Sequence, residues 1–200
     1  MAREIKGYVP FVSTNPRLDF SFLYPEGWDA REVREENYDE VFITGPRNRE
    51  DTYSPALIVS VTPSKQAGGE FDTIEELVAD YLNRRKGFPN FKEFLRTKGT
   101  FAFHEAMEFV ISYVMPLPLN SVNPRDTTVV ERRIVVKRGP YFYELIYRAI
   151  EEDYHAFLDA FRNAARTFGF HREMKEPSPL VTPAPALSVR EQPADYETHA

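Results

Sequence analysis

His104-Glu105, followed by Glu108, is the grouping in this sequence best suited to chemistry. In an extended segment, side chains alternate between faces, so His104, Ala106 and Glu108 share one side and the imidazole and carboxylate could converge. Nitrogen and oxygen donors of that kind suit zinc or manganese. Two donors do not complete a site, and the sequence names no third. The plain alternative is an exposed His and Glu on a solvated strand. His155 has Asp159 four residues on, the spacing of a helical ion pair. His171 and His199 fall at the domain edge and in the tail, and carry no argument.

Other chemistries leave no trace. A serine nucleophile is expected between glycines at a sharp elbow, and no serine here has that flanking. Paired carboxylates could serve glycoside hydrolysis, but 31 acidic residues make any pair easy to draw. Gly68-Gly69 precedes a helix without the Lys and Ser/Thr of a phosphate-binding loop. With no cysteine in the chain, thiolate zinc sites, iron–sulfur clusters, disulfides and cysteine nucleophiles are excluded together. The expectation is a non-enzymatic protein without a cofactor.

Two segments suit binding instead. Glu131-Arg132-Arg133, with Arg125, Lys137 and Arg138 nearby, is a local basic cluster whose Arg132 could dock an acidic surface. It could equally be a solvated sheet face or edge where charge discourages aggregation. The run from Met115 to Val122 is an apolar, Pro-containing loop, and such loops often bind. Leu117, Leu119 and Val122 are its candidate contacts; the other reading is that the loop tucks under the domain as packing.

Composition sets the frame. Two hundred residues, 42% hydrophobic and 14% aromatic, suffice for one domain with its own core. The formal charge of −6 argues against nucleic acid as a partner, because phosphate binding needs a cationic face. No run approaches the roughly 20 apolar residues that span a bilayer. Met1 to Gly7 is polar and holds no apolar signal region. The expected compartment is the cytoplasm if this N-terminus is native, and an extracytoplasmic space if a signal has been removed.

The positioning elements follow from periodicity. Phe20 and Phe22 alternate with Ser21, the pattern of a half-buried strand, and Pro25-Glu26-Gly27 punctuates it. Val41 to Ile43 and Ala56 to Thr62 predict two more strands. Thr73-Ile74-Glu75-Glu76 matches a capping box, with Ile74, Leu77, Val78, Tyr81 and Leu82 at helical spacing behind it. Arg84, Arg85 and Lys86 suit the last turn of that helix, and Gly87 its end. Phe91 to Thr97, Phe101 to Phe103, Ala106 to Met115, Thr127 to Lys137 and Tyr141 to Ala149 predict strands, the last two joined through Arg138-Gly139-Pro140. Tyr141, Tyr143, Leu145 and Tyr147 form an apolar face, while Phe142, Glu144, Ile146 and Arg148 form a mixed one. Glu151 to Phe168 predicts a closing helix with an acidic first turn and a stripe of Tyr154, Phe157, Leu158, Phe161, Ala165 and Phe168. Pro177, Pro179, Pro183, Pro185 and Pro193 mark a Pro-rich tail.

Three stretches together resemble the PsbP family, an extrinsic photosystem II subunit and its relatives. They are Phe20-Ser21-Phe22-Leu23-Tyr24-Pro25-Glu26-Gly27-Trp28; Arg132 to Lys137 with Gly139 and then Tyr143-Glu144-Leu145; and the terminal helix closing on Arg166-Thr167-Phe168. The resemblance runs from about Asp19 to Phe170; Met1 to Leu18 does not match the family's N-terminal arm. It implies a central antiparallel sheet with helices packed on its faces, a fold shared with a Ran-binding nuclear-transport protein. It also implies a role in binding or assembling other proteins, in photosynthetic members at the lumenal face of photosystem II. The expectation is an α+β sandwich with an N-terminal arm at 1–18, a PsbP-like domain at 19–174 and a disordered tail at 175–200. Its expected function is a protein-binding or assembly module; the alternative is a metal- or small-ligand-binding domain near His104 and Glu108.

Overall fold

The computed structural model describes residues 5–13, 15–35, 38–119 and 121–171. The expected tail and His199 lie outside the described residues. The chain forms β1 (Tyr8–Phe11), β2 (Phe20–Pro25), β3 (Asp29–Arg34), β4 (Asp39–Thr44), β5 (Ala56–Pro63) and α1 (Ile74–Arg85). It continues with β6 (Lys92–Phe101), β7 (His104–Leu117), β8 (Arg125–Arg138), β9 (Tyr141–Ile150), α2 (Glu151–Thr167) and β10 (Gly169–Phe170). Seven strands make one antiparallel sheet in the order β3-β4-β5-β9-β8-β7-β6, and β1-β2-β10 make a small second sheet. The architecture is the expected α+β sandwich, with the helices on opposite faces of the large sheet.

On one face α2 and the small sheet close over β9 and β8. Tyr143, Leu145 and Tyr147 meet Phe157 and Phe161 there, as the alternation of β9 and the stripe of α2 require. Phe11, Phe20, Phe22 and Phe168 stack on one another with centroids 5.2–6.1 Å apart, and so tie β1 and β2 to the end of α2. Such stacked rings stabilise beyond the area they bury. Part of the stretch read as an arm thus belongs to the sandwich: β1 pairs with β2 from Tyr8↔Pro25 to Phe11↔Phe22, and Leu18 is buried.

On the other face α1 lies across β7 and β8. Leu77, Val78 and Leu82 pack on Phe109, Ile111 and Val135. The Thr73 hydroxyl accepts from the Glu76 N–H at 3.1 Å, while the Glu76 carboxylate accepts from Asp72 N–H at 2.8 Å, one residue ahead of the cap. The cap therefore forms where the sequence places it, with the reciprocal bond shifted by one.

Three differences from the sequence reading have local causes. The strand expected at Phe91 to Thr97 and the piece at Phe101 to Phe103 are one strand, β6, which turns into β7 through Ala102 and Phe103. Both residues hold positive φ, 47° and 68°, a conformation usually given to Asn-Gly in a two-residue hairpin. β3 is exposed at five of its six positions and charged at four, so it has no apolar alternation to read. β1 carries Pro10, tolerated because the strand is at a sheet edge.

Candidate functional site

β7 places His104 and Glu108 on the face toward α2, together with Ala106. Four strand residues separate them by about 13 Å between Cα atoms, too far for two short donors to close on one ion. Each has another partner. His104 sets its ring edge-on to Phe170 at 5.4 Å, and burial, then the nearby Arg138 charge, lowers its pKa. Glu108 accepts from Arg132 Nε at 2.6 Å, and the Arg132 guanidinium lies over Phe161 at 5.4 Å. Among the described residues no group of three His, Cys, Asp or Glu could hold a metal ion. The geometry thus gives the proposed ion nothing to converge on, and Arg132 is half-buried beside α2 rather than offered to a partner.

The basic cluster read from the sequence divides between the two faces, because successive strand residues point to opposite sides. Arg132 goes to the α2 side; Glu131 and Arg133 go to the α1 side. Glu131 is fully buried at 0% exposure. Its carboxylate accepts from Arg133 Nε at 2.5 Å, from Arg148 Nε at 2.8 Å, from the Tyr81 hydroxyl and, more loosely, from the Tyr113 hydroxyl at 3.3 Å. Arg133 also donates to Glu144 at 2.7 Å and stacks 3.8 Å from the Tyr81 ring centre. Arg85 of α1 donates to the Tyr81 oxygen at 2.7 Å and lies over Tyr81, Phe88 and Tyr113. Burial alone would raise the Glu131 pKa; Arg133, Arg148 and the Tyr81 hydrogen bond overcome it and hold the carboxyl well below the usual range. Burial, then Glu131, pushes the Tyr81 phenol up. The network is closed on itself. It fastens α1 to β8 and β9, and it explains why the mixed face of β9 is buried: Glu144 and Arg148 are its ion partners, with Arg148 directly opposite Glu131.

The segment read as an apolar loop begins later than expected. Met115, Pro116 and Leu117 finish β7, and Leu117 is 5% exposed in the core beneath α1. Leu117 is therefore packing and not a contact surface, since β7 runs far enough to carry it under the helix. Leu119 and Val122 stand in water at 68% and 96% exposure. A cleft of about 830 Å³ is lined by Asn48, Glu50, Arg125, Asp126, Glu151 and Asp153 among others. Arg125 reaches Glu50 at 3.3 Å across it. Three distant stretches form the cleft, so no local sequence pattern announces it.

No family model matches the sequence, and no curated protein matches it. Solved structures do. The Ran-binding protein Mog1p of Saccharomyces cerevisiae superposes with a TM-score of 0.52 at 12% identity, over 82% of this chain and 96% of that one. The chain has the fold of Mog1p. That is the fold the PsbP resemblance implies, since the family shares it with a Ran-binding nuclear-transport protein. Cyanobacterial PsbP (CyanoP) from Synechocystis also matches, with a TM-score of 0.49 at 14% identity over 85% of this chain and 96% of that one. LpqN, described as involved in cell envelope biogenesis of Mycobacterium tuberculosis, matches with a TM-score of 0.49 at 16% identity over 82% and 90%. On the Mog1p-like fold of this chain, Leu119 and Val122 follow the C-terminal end of β7. The His104 turn occupies the other, about 45 Å away along β7.

Proposed function

We propose that this chain is a non-enzymatic protein-binding or assembly module whose contact surface includes Leu119 and Val122. The observation that carries the reading is the exposure of these two apolar side chains on the connection between β7 and β8. An apolar patch rimmed by polar groups is what a protein partner desolvates. The charged groups inside the fold point the same way: Glu131, Arg133, Glu144 and Arg148 satisfy one another and offer nothing to a substrate. Mog1p, which has the same fold, is a Ran-binding protein, so partner binding suits this scaffold.

The test is capture with the full chain as bait, comparing it with Leu119→Asp/Val122→Asp. Both side chains are exposed, so the variant keeps its melting temperature, while a charge in a desolvated contact costs a bound partner at least about tenfold in affinity. If every captured partner stays bound to the variant, the loop is not the contact surface and the reading fails.

A further inference from the structure

Among the described residues the large sheet ends on β6, which is paired along one side only. Nine of its ten residues are exposed, and Phe101 alone is buried. A free edge presents outward N–H and C=O groups at the spacing of a missing strand, and proteins commonly blunt such edges by shortness, proline, a bulge, a cover or charge, which repels like edges while leaving an oppositely charged strand free to pair. β6 is long and has no proline. A bulge between Glu93 and Leu95 disturbs its start and leaves Leu95–Phe101 regular. Within that half Arg96 lies opposite Phe109 and Lys98 opposite Met107, so both cations stand on the α1 side, two residues apart. Arg96 holds Glu93 through two bonds at 2.7 and 2.8 Å and Lys98 touches Glu75 at 2.5 Å, but both pairs are open to solvent and each cation keeps N–H donors for a further acceptor. With Lys92, the strand carries three cations against Glu93 within it and Glu75 of α1 beside it, on a chain of formal charge −6.

We infer that Leu95–Phe101 is a docking edge for an extended segment of a partner protein, added as an eighth strand, with carboxylates at alternate positions facing Arg96 and Lys98. Main-chain pairing holds the segment and the alternate acids select it. A second copy of the chain fits poorly. An antiparallel two-fold through Arg96 or Lys98 sets a cation against itself, and one through Thr97 sets Arg96 against Lys98; like charges directly opposite destabilise a pair. A two-fold through Gly99 escapes this only by running Arg96 into the turn. At the end of the edge stands Phe103, fully exposed and held at positive φ, an apolar anchor for the same segment. This surface deepens the protein-binding reading and is separate from the Leu119–Val122 loop.

The experiment titrates isotopically labelled full-length chain with a capped synthetic peptide, Thr-Glu-Val-Glu-Val-Glu-Thr, and with its counterpart bearing Lys for Glu. The result expected is saturable amide shifts and slowed exchange along Leu95–Phe101 with the acidic peptide alone. Arg96→Glu/Lys98→Glu, both exposed and expected to fold, then loses the acidic peptide by at least about tenfold and takes the lysine peptide. Leu119→Asp/Val122→Asp leaves the peptide bound, so failure of the loop and failure of the edge are told apart. No saturable shift at β6, equal affinity for both peptides, or unchanged binding by the charge-reversed variant overturns the inference. So does a β6 shift that grows with chain concentration in the absence of peptide, which identifies a second copy as the occupant.

Discussion

Glu131 shows how much one side chain can hold in this fold. It is a carboxylate with no exposed surface, kept ionised by two guanidinium groups and a phenol. Glu131→Gln keeps the shape and removes the charge, leaving buried Arg133 and half-buried Arg148 each with one charged partner fewer. Removing one member of a buried pair costs about 3–5 kcal/mol, so urea denaturation near neutral pH should show a loss of that order. The pH dependence has a definite sign. The Glu131 pKa is depressed on folding, so its contribution is present above its unfolded value, about 4.3, and fades as pH falls toward the folded value. Wild-type stability should therefore drop through that acid window, and the slope should be shallower in the Gln variant. Equal slopes would mean that Glu131 is not the group responsible. Reading this from the sequence was possible only in part. Glu131, Arg133, Glu144 and Arg148 stand out as charges inside apolar strands, but Arg132 between them looks the same and faces the other way.

At the scale of elements, the β6–β7 hairpin carries the clearest local conflict. Ala102 and Phe103 both adopt positive φ, at about 1–2 kcal/mol for an L-residue with a side chain. Ala102→Asn with Phe103→Gly matches the turn chemistry and should raise stability by about 1 kcal/mol, a gain of a few degrees in melting temperature. A lower melting temperature would show that Phe103 is packed rather than free. A local preference set aside at a fully exposed aromatic is also what a binding anchor requires, so the stabilised variant is a useful partner to the peptide titration. Of the elements that periodicity revealed, β2, α1 and α2 each bury one continuous stripe, and β5 and β9 are apolar enough to be buried on both faces. Those it missed, β1, β3 and β10, are edge or two-residue strands that bury too little to leave a pattern.

For the whole molecule the N-terminal stretch is the deciding case. The family resemblance begins at Asp19, yet Phe11 is stacked on Phe20 and Phe22, and β1 completes the small sheet over α2. A chain beginning at Asp19 loses the Phe11 and Leu18 contacts, and deleting a buried Phe alone costs about 3–5 kcal/mol. Thermal unfolding of that truncated chain should fall well below the full chain; an unchanged midpoint would make residues 8–18 a dispensable arm. By itself the sequence determined the class, the order of the main elements, the capped helix α1 and the stripe of α2. Those depend on spacing along the chain, and spacing is local. Tertiary structure alone decided that His104 and Glu108 look to different partners and that Leu117 lies beneath α1. It also decided that the basic run is split across a sheet and that β6 is an edge. Each depends on which strand lies beside which and which face a helix covers, and neither is carried by any short stretch of residues.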